Sequence, residues 1–264
     1  MLFSRWLYYL SSIPTLFSGI KNWQLMLKVF LGYSVREPAV IELKNGLRFH
    51  IRTPMDIWVL KEASIEHQYE LASVPIGDNW NILDIGAGLG DFAVSVAKAH
   101  PRSTVYAYEP FPESYDLLLE NVRLNQITNV KAFPQAIGAQ TGSMQLHAVS
   151  AEAVQQSTVA PVIGGQAIQV QSIALDEVLA HLQLTRCDYL KMDCEGAEYD
   201  VFFNASPATL EKIDRICLEY HDGVTSHTHQ DLVRLFELNG FEVDCTTNPA
   251  HSDLGLLFAR QKQP

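Results

Sequence analysis

The chain has 264 residues, enough to bury a full core as one large domain or as one domain with an extension, and its 19 Lys and Arg against 30 Asp and Glu give a net charge of −11. A surface of that sign repels phosphate backbones, and with no basic run in the sequence nucleic acid is excluded as the expected substrate. The four cysteines, Cys187, Cys194, Cys217 and Cys245, form no C-x-x-C pair and no zinc spacing with histidines, so a disulfide framework and a structural metal are not expected and a reducing, cytoplasmic setting fits.

The uncharged apolar run from Trp6 to Ile20 is shorter than the about 20 residues a spanning helix needs, and Pro14 interrupts it. Phe17-Ser18-Gly19-Ile20 is a poor cleavage site, so export is not expected. From Ile20 onward, Ile20, Trp23, Leu27, Phe30 and Leu31 share one face and Lys21, Gln24 and Lys28 another, which predicts an amphipathic helix. Its face suits docking on its own domain, a substrate lid, a dimer contact in a homo-oligomer, or a peripheral membrane anchor carrying Trp and Lys.

Residues 39–43 and 47–51 alternate around Lys44-Asn45-Gly46, a strong hairpin signal. Asp56 to Leu71 then reads as a helix with Trp58, Leu60 and Tyr69 among its apolar residues. Residues 1–75 are therefore expected to form a helical and hairpin extension, and residues 76–264 a nucleotide-binding domain.

That domain opens on Asn81-Ile82-Leu83-Asp84-Ile85-Gly86-Ala87-Gly88-Leu89-Gly90-Asp91-Phe92. An apolar run ends near a carboxylate, passes three glycines at alternate positions, and resumes at helical spacing through Phe92, Val94, Val96 and Ala97. Glycines allow the sharp bend and close approach of a ligand to amide N–H groups at a helix start. A second run, Thr104–Tyr108, ends at Glu109 before Pro110, where a carboxylate can accept both ribose hydroxyls of a nucleoside. A helix from Phe111 to Asn125, with Tyr115, Leu118, Leu119 and Val122 on one side, and a strand near Val130–Phe133 continue the alternation of a parallel sheet. Gln135-Ala136-Ile137-Gly138 is expected to end that strand at the ligand edge, as a plain turn or as a contact to an adenine ring.

Residues 139–171 are irregular, with Gly142, Ser150, Gln155, Gln156, Ser157, Gly164 and Gly165, but alternation at 143–147 and 167–171 predicts a second hairpin-like excursion that could cover the site. A helix begins near Leu175. The strand Asp188–Asp193 then runs into Cys194-Glu195-Gly196-Ala197-Glu198, which places Asp193 on the ligand edge or as a helix cap. Glu195 and Glu198 are expected in the first helical turn, Glu198 in a structural role. Lys191 shares a strand face with Asp193 and needs a carboxylate partner. Glu219 and His221 share a face of the next strand; His221 could take a hydroxyl proton, position the acceptor, or be a loop residue. Ser206-Pro207 starts a short helix. Leu232, Leu235, Phe236 and Leu238 form another that stops at Asn239-Gly240, and two antiparallel strands at 241–245 and 254–259 close the sheet.

Together L-D-I-G-A-G-L-G-D-F, Y-E-P-F-P-E, A-I-G, L-D-E-V-L, L-K-M-D-C-E-G-A-E, L-E-Y-H and L-N-G-F, spread over roughly residues 81–245, resemble the FkbM family of S-adenosylmethionine-dependent methyltransferases. The resemblance implies an α/β, Rossmann-like class I methyltransferase fold with a seven-stranded, mostly parallel sheet, and methyl transfer to a hydroxyl of a sugar, polyketide or lipid-linked intermediate. It implies that Gly86, Gly88, Gly90 and Asp91 hold the methionine end of S-adenosyl-L-methionine, with Asp84, Ala87, Phe92, Pro110, Phe111 and Asp193 also among the cofactor-binding residues. Glu109 would meet the ribose, Ala136 and Ile137 the adenine, and Tyr69 would close over the methionine moiety. This chain carries Gly88 where Asn is common in the family, and Gln135 where Asn is usual.

Asp193, helped by Lys191, is expected to position the acceptor while Glu219 or His221 takes its proton. No resident metal is expected, although Asp193 and Glu219 could share a divalent cation. The alternatives are a cofactor-binding or assembly protein that has lost its chemistry and, opposed by the glycine spacing, a nicotinamide-dependent dehydrogenase.

Overall fold

The computed structural model describes residues 2–33, 39–70, 76–148, 156–157 and 167–262. The chain opens with helices α1 (Leu2–Gly19) and α2 (Trp23–Phe30), followed by strands β1 (Ala39–Glu42) and β2 (Arg48–Ile51), which pair antiparallel across the expected Asn-Gly turn. The amphipathic helix differs from expectation. Ile20 lies before it, buried in a bridge to Leu43, and α2 buries Met26 while Trp23, Phe30 and Leu31 stay exposed.

Helix α3 (Pro54–Leu60) begins two residues earlier than the sequence suggests, because Thr53 and Asp56 cap each other's backbone N–H and Pro54 occupies the first turn. It does not run on as α-helix: Lys61–Ile65 is a π-helical turn, and Tyr69 follows in a turn outside it. The expected helix end at Leu71 and the boundary at residue 75 lie outside the described residues.

The central sheet uses β3 (Asn81–Ile85), β4 (Thr104–Tyr108) and β5 (Val130–Phe133), separated by α4 (Asp91–Ala99) and α5 (Pro112–Leu124). Alternate residues of these strands feed two cores. Leu83, Ile85, Tyr106 and Tyr108 face one layer of helices, and Ile82, Val105 and Ala107 face another that includes Phe92, Val96 and Leu118. Burial on both faces explains the near-continuous apolar runs. On α5 the buried stripe is Ser114, Leu117, Leu118 and Asn121, rotated from the expected one because α5 also packs against the N-terminal segment. Asn121 accordingly bonds His50 of β2 and the Leu89 carbonyl.

Ala136–Gly138 does not end β5. It forms β6 of a separate four-stranded sheet with β7 (Gly142–Ala148), β8 (Gln156–Ser157) and β9 (Ala167–Ala174), in which β6 runs parallel to β9. The expected excursion is the antiparallel β7–β9 pairing; Ser150, Gln155, Gly164 and Gly165 lie outside the described residues.

The chain continues through α6 (Leu175–His181), β10 (Tyr189–Met192), α7 (Glu198–Asn204), α8 (Pro207–Leu210), β11 (Arg215–His221), α9 (His229–Leu238), β12 (Phe241–Thr247) and β13 (Leu254–Gln261). Ser206 caps α8 as expected, whereas Leu238 at the end of α9 points to solvent. The seven-stranded sheet has the order β12-β13-β11-β10-β3-β4-β5, and only β13 runs antiparallel to its neighbours. A third core joins Leu16, Ile20, Met26, Phe49 and Ile57 of the N-terminal segment to Leu89, Val94 and Leu117 beside the glycine turn. The N-terminal helices are thereby held next to the carboxyl ends of β3 and β4, where ligands of open α/β sheets bind.

Candidate active site

The turn after β3 sets the geometry. Gly86 has φ +75°, and a Cβ there would overlap the carbonyl oxygen of Asp193 at the end of β10. Its N–H and that of Ala87 both donate to the Tyr108 carbonyl at 3.0 Å. Gly88 has φ +53°, and among the described residues an added Cβ would meet only Asp91 Oδ1, at 3.7 Å, which leaves its backbone open to a ligand.

The Gly88 N–H donates to Glu109 Oε2 at 2.8 Å, and the Phe111 N–H to Glu109 Oε1 at 2.9 Å. Glu109 is buried, and burial pushes its carboxyl up to about 7 against the pull of those two N–H groups. A carboxylate has about four acceptor sites, so the Glu109 oxygens retain capacity for two hydroxyl donors. Burial likewise raises Asp91 to about 7, opposed by Lys191.

Lys191 finds its partner on the neighbouring strand and not in Asp193. The parallel register sets it opposite Asp84, with Nζ 3.3 Å from Asp84 Oδ1 and donating to the Gly86 carbonyl at 2.8 Å. Burial alone would lower the proton affinity of this ammonium, but Asp84, Asp193 and Asp91 outweigh it and hold Lys191 above its ordinary range. Asp84 is wholly buried, and its carboxyl is pushed up by burial despite Lys191.

Asp193 accepts the Tyr69 hydroxyl at 3.0 Å. The Tyr69 ring packs edge-on against Phe92, and its carbonyl accepts the Tyr189 hydroxyl. Tyr69 is thus pinned in front of the glycine turn. Asp193, Glu219 and His221 each offer one donor atom within 4.8 Å of the others. His221 is buried, with Nε2 3.4 Å from Glu195 and Nδ1 3.6 Å from Glu198. Glu195 precedes α7, with φ +52°, and is not in its first turn. Glu198 is structural as expected, accepting the backbone N–H groups of Cys194 and Gly196 at 2.6 and 2.9 Å. Burial would depress His221, but Glu198, Asp193 and Glu195 raise it to about 10; burial and Asp193 push Glu219 well above the usual carboxylate range.

These groups share one cavity of about 860 Å³. Of the residues expected from sequence, Tyr69, Gly86, Gly88, Asp91, Glu109, Pro110, Ala136, Ile137, Lys191, Asp193, Glu219 and His221 line it. Asp84, Ala87, Gly90, Phe92 and Phe111 stand behind the lining, holding the turn and Glu109 in place. Sequence reasoning missed the opposite wall, built by Tyr8, Tyr9, Arg52, Trp58 and Glu62. There Glu62 accepts both the Tyr8 hydroxyl, at 2.7 Å, and the Trp58 indole N–H, at 2.8 Å. Lys61 lies over both rings. Trp58 was expected only as an apolar helix residue, and no local signal marks Tyr8 and Tyr9, because α1 reaches the cavity only through tertiary packing.

Seven strands in this order, with a glycine turn at the tip of β3 and acidic groups at the tips of β4, β10 and β11, define a Rossmann-like class I methyltransferase fold. A family model described as Methyltransferase FkbM domain matches residues 84–243, and the protein belongs to that family. Methyltransferase sdnD of Sordaria araneosa is 26% identical over 236 residues, covering 78% of this chain and 90% of its own length. The hexuronic acid methyltransferase AglP of Haloferax volcanii is 22% identical over 193 residues, covering 72% and 77%. Among solved structures, a putative rRNA-methylase from Clostridium thermocellum shares the fold alone, at TM-score 0.50 and 9% identity over 76% of this chain and 96% of that one.

Proposed function

We propose that the protein is an S-adenosylmethionine-dependent O-methyltransferase acting on a hydroxyl of a small molecule. The observation that carries this is the enclosure, in one cavity, of the Gly88–Glu109 pairing and the Asp193–Glu219–His221 cluster. The first suits a nucleoside bearing an amino-acid tail and the second an acceptor. The residues fit such a cofactor. Glu109 keeps acceptor capacity for ribose hydroxyls, Gly88 leaves open backbone, Asp91 lies at the start of α4, and Ala136 and Ile137 supply an apolar surface for an adenine ring.

The chemistry such a cofactor supplies when bound is a methyl group made electrophilic by a sulfonium. The protein then has to hold the acceptor oxygen in line and take its proton as the C–O bond forms. Glu219 in its ionised form is the proton acceptor, since it lines the cavity with a carboxylate oxygen within 4.8 Å of Asp193 and His221, whereas His221 already carries its proton. His221, held as imidazolium by its carboxylate neighbours, is suited to orienting the acceptor. Asp193, fixed by Tyr69, positions it from the other side. The role of Lys191 is to neutralise Asp84 beneath the glycine turn.

A divalent cation that Asp193, Glu219 and His221 would hold is the second reading, favoured by the spacing of their ligand atoms; it predicts that a chelator abolishes turnover. An assembly role without chemistry predicts cofactor binding and no transfer. The test is to mix cell extract, protein and S-adenosylmethionine and look by mass spectrometry for a small molecule that gains one CH₂. Gain at an oxygen supports the proposal, and no gain in any extract component contradicts it.

A further inference from the structure

The apolar surface of the N-terminal helices has no counterpart in the fold. Among the described residues, seven of the nine exposed large apolar side chains fall between Tyr9 and Tyr33, including Leu10 at 55%, Leu31 at 69% and Tyr33 at 65% exposure. They lie on α1, on α2 and in the three residues that follow α2. Leu10, Ile13 and Phe17 recur at helical spacing on α1, the Phe17 ring meets Trp23 at 5.5 Å, and Phe30 and Leu31 follow at the far end of α2. A single exposed leucine needs no explanation, but a concentration of this kind marks a surface that meets something else.

Its charge indicates what that is. Residues 1–33 contain Arg5, Lys21 and Lys28 and no acidic residue, in a chain whose net charge is −11. Lys21 and Lys28 are both exposed; Lys21 pairs with Glu42 at 3.0 Å, and Lys28 makes no ion pair among the described residues. Apolar and aromatic side chains flanked by lysines are the composition of a helix lying in a membrane interface, with the apolar face in the acyl boundary and the cations among the headgroups. Neither helix crosses: no described helix is long and apolar enough, and α1 carries Pro14 within its 18 residues. In a two-fold contact of this face with a second copy the lysines of both copies would face one another, whereas an anionic bilayer attracts them.

We propose that the α1–α2 face docks the protein onto the surface of an anionic lipid bilayer. Tyr9 belongs both to this group and to the cavity wall, so docking sets the cavity beside the bilayer surface. The docking stands apart from the methyl-transfer proposal, because it is read by binding alone.

The experiment is co-sedimentation of the full chain with phosphatidylcholine vesicles and with vesicles that also contain phosphatidylglycerol, at low and high salt. Sedimentation only with the anionic vesicles, weakened by salt, is expected. Ile13→Ser/Leu31→Ser and Lys28→Glu, all at exposed positions, should each weaken it by about tenfold while leaving the far-ultraviolet circular dichroism unchanged. No sedimentation of the wild type, or equal sedimentation of the variants, overturns the proposal. So does a wild type that ignores vesicles but dimerises in analytical ultracentrifugation and becomes monomeric as Ile13→Ser/Leu31→Ser.

Discussion

Glu109 at the tip of β4 accepts the backbone N–H of Gly88 in the turn after β3 at 2.8 Å. One carboxylate thereby fixes the glycine turn and presents its remaining lone pairs to the cavity. Burial raises Glu109 and Asp91 each to about 7. Their charged forms are the better acceptors for hydroxyl and ammonium donors, so affinity for S-adenosylhomocysteine should weaken as pH falls below about 7. Below about pH 7, binding should release up to about two protons from the wild type and about one from Glu109→Gln. Calorimetric titrations across that range check this, and identical pH profiles for the two proteins would refute the role of Glu109.

Lys191 and Asp84 make a buried pair, with side chains 4% and 0% exposed. Removing one partner of such a pair leaves an uncompensated charge, which costs about 3–5 kcal/mol. Lys191→Met should lose about that much stability in urea unfolding, and Lys191→Met/Asp84→Leu should recover most of it. A single variant as stable as the wild type would return Lys191 to the catalytic role expected from sequence.

Much of the site was legible because parallel strands deliver their ends to one edge: the glycine turn, Glu109, Asp193, Glu219 and His221 each close an apolar run. What was not legible depends on register and long-range packing. Strand alternation placed Lys191 and Asp193 on one face, but only the β3–β10 register puts Asp84 opposite Lys191. Ala136 and Ile137 were expected at the end of β5, yet their ladder partners are Ser172 and Ile173 of β9, more than thirty residues on. The amphipathic pattern of α2 was visible. Which side would be buried was not, since Met26 enters the core only through the hairpin and α3.

Glu219 faces the cavity with its carboxyl raised by burial and by Asp193. Positioned general bases contribute about 10²–10⁴-fold to rate. Glu219→Gln should lower kcat by an amount in that range while leaving cofactor affinity unchanged, because Glu219 is not among the groups around the glycine turn. A near-normal kcat, measured under saturating acceptor, would rule out Glu219 as the proton acceptor.

The most direct measurement is an isothermal titration of the purified full chain with S-adenosylhomocysteine, repeated with Glu109→Ala. The structure predicts a saturable one-to-one heat for the wild type that is lost in the variant. Absence of heat with the wild type, or an undiminished isotherm with Glu109→Ala, would contradict the placement of the cofactor across the tips of β3 and β4.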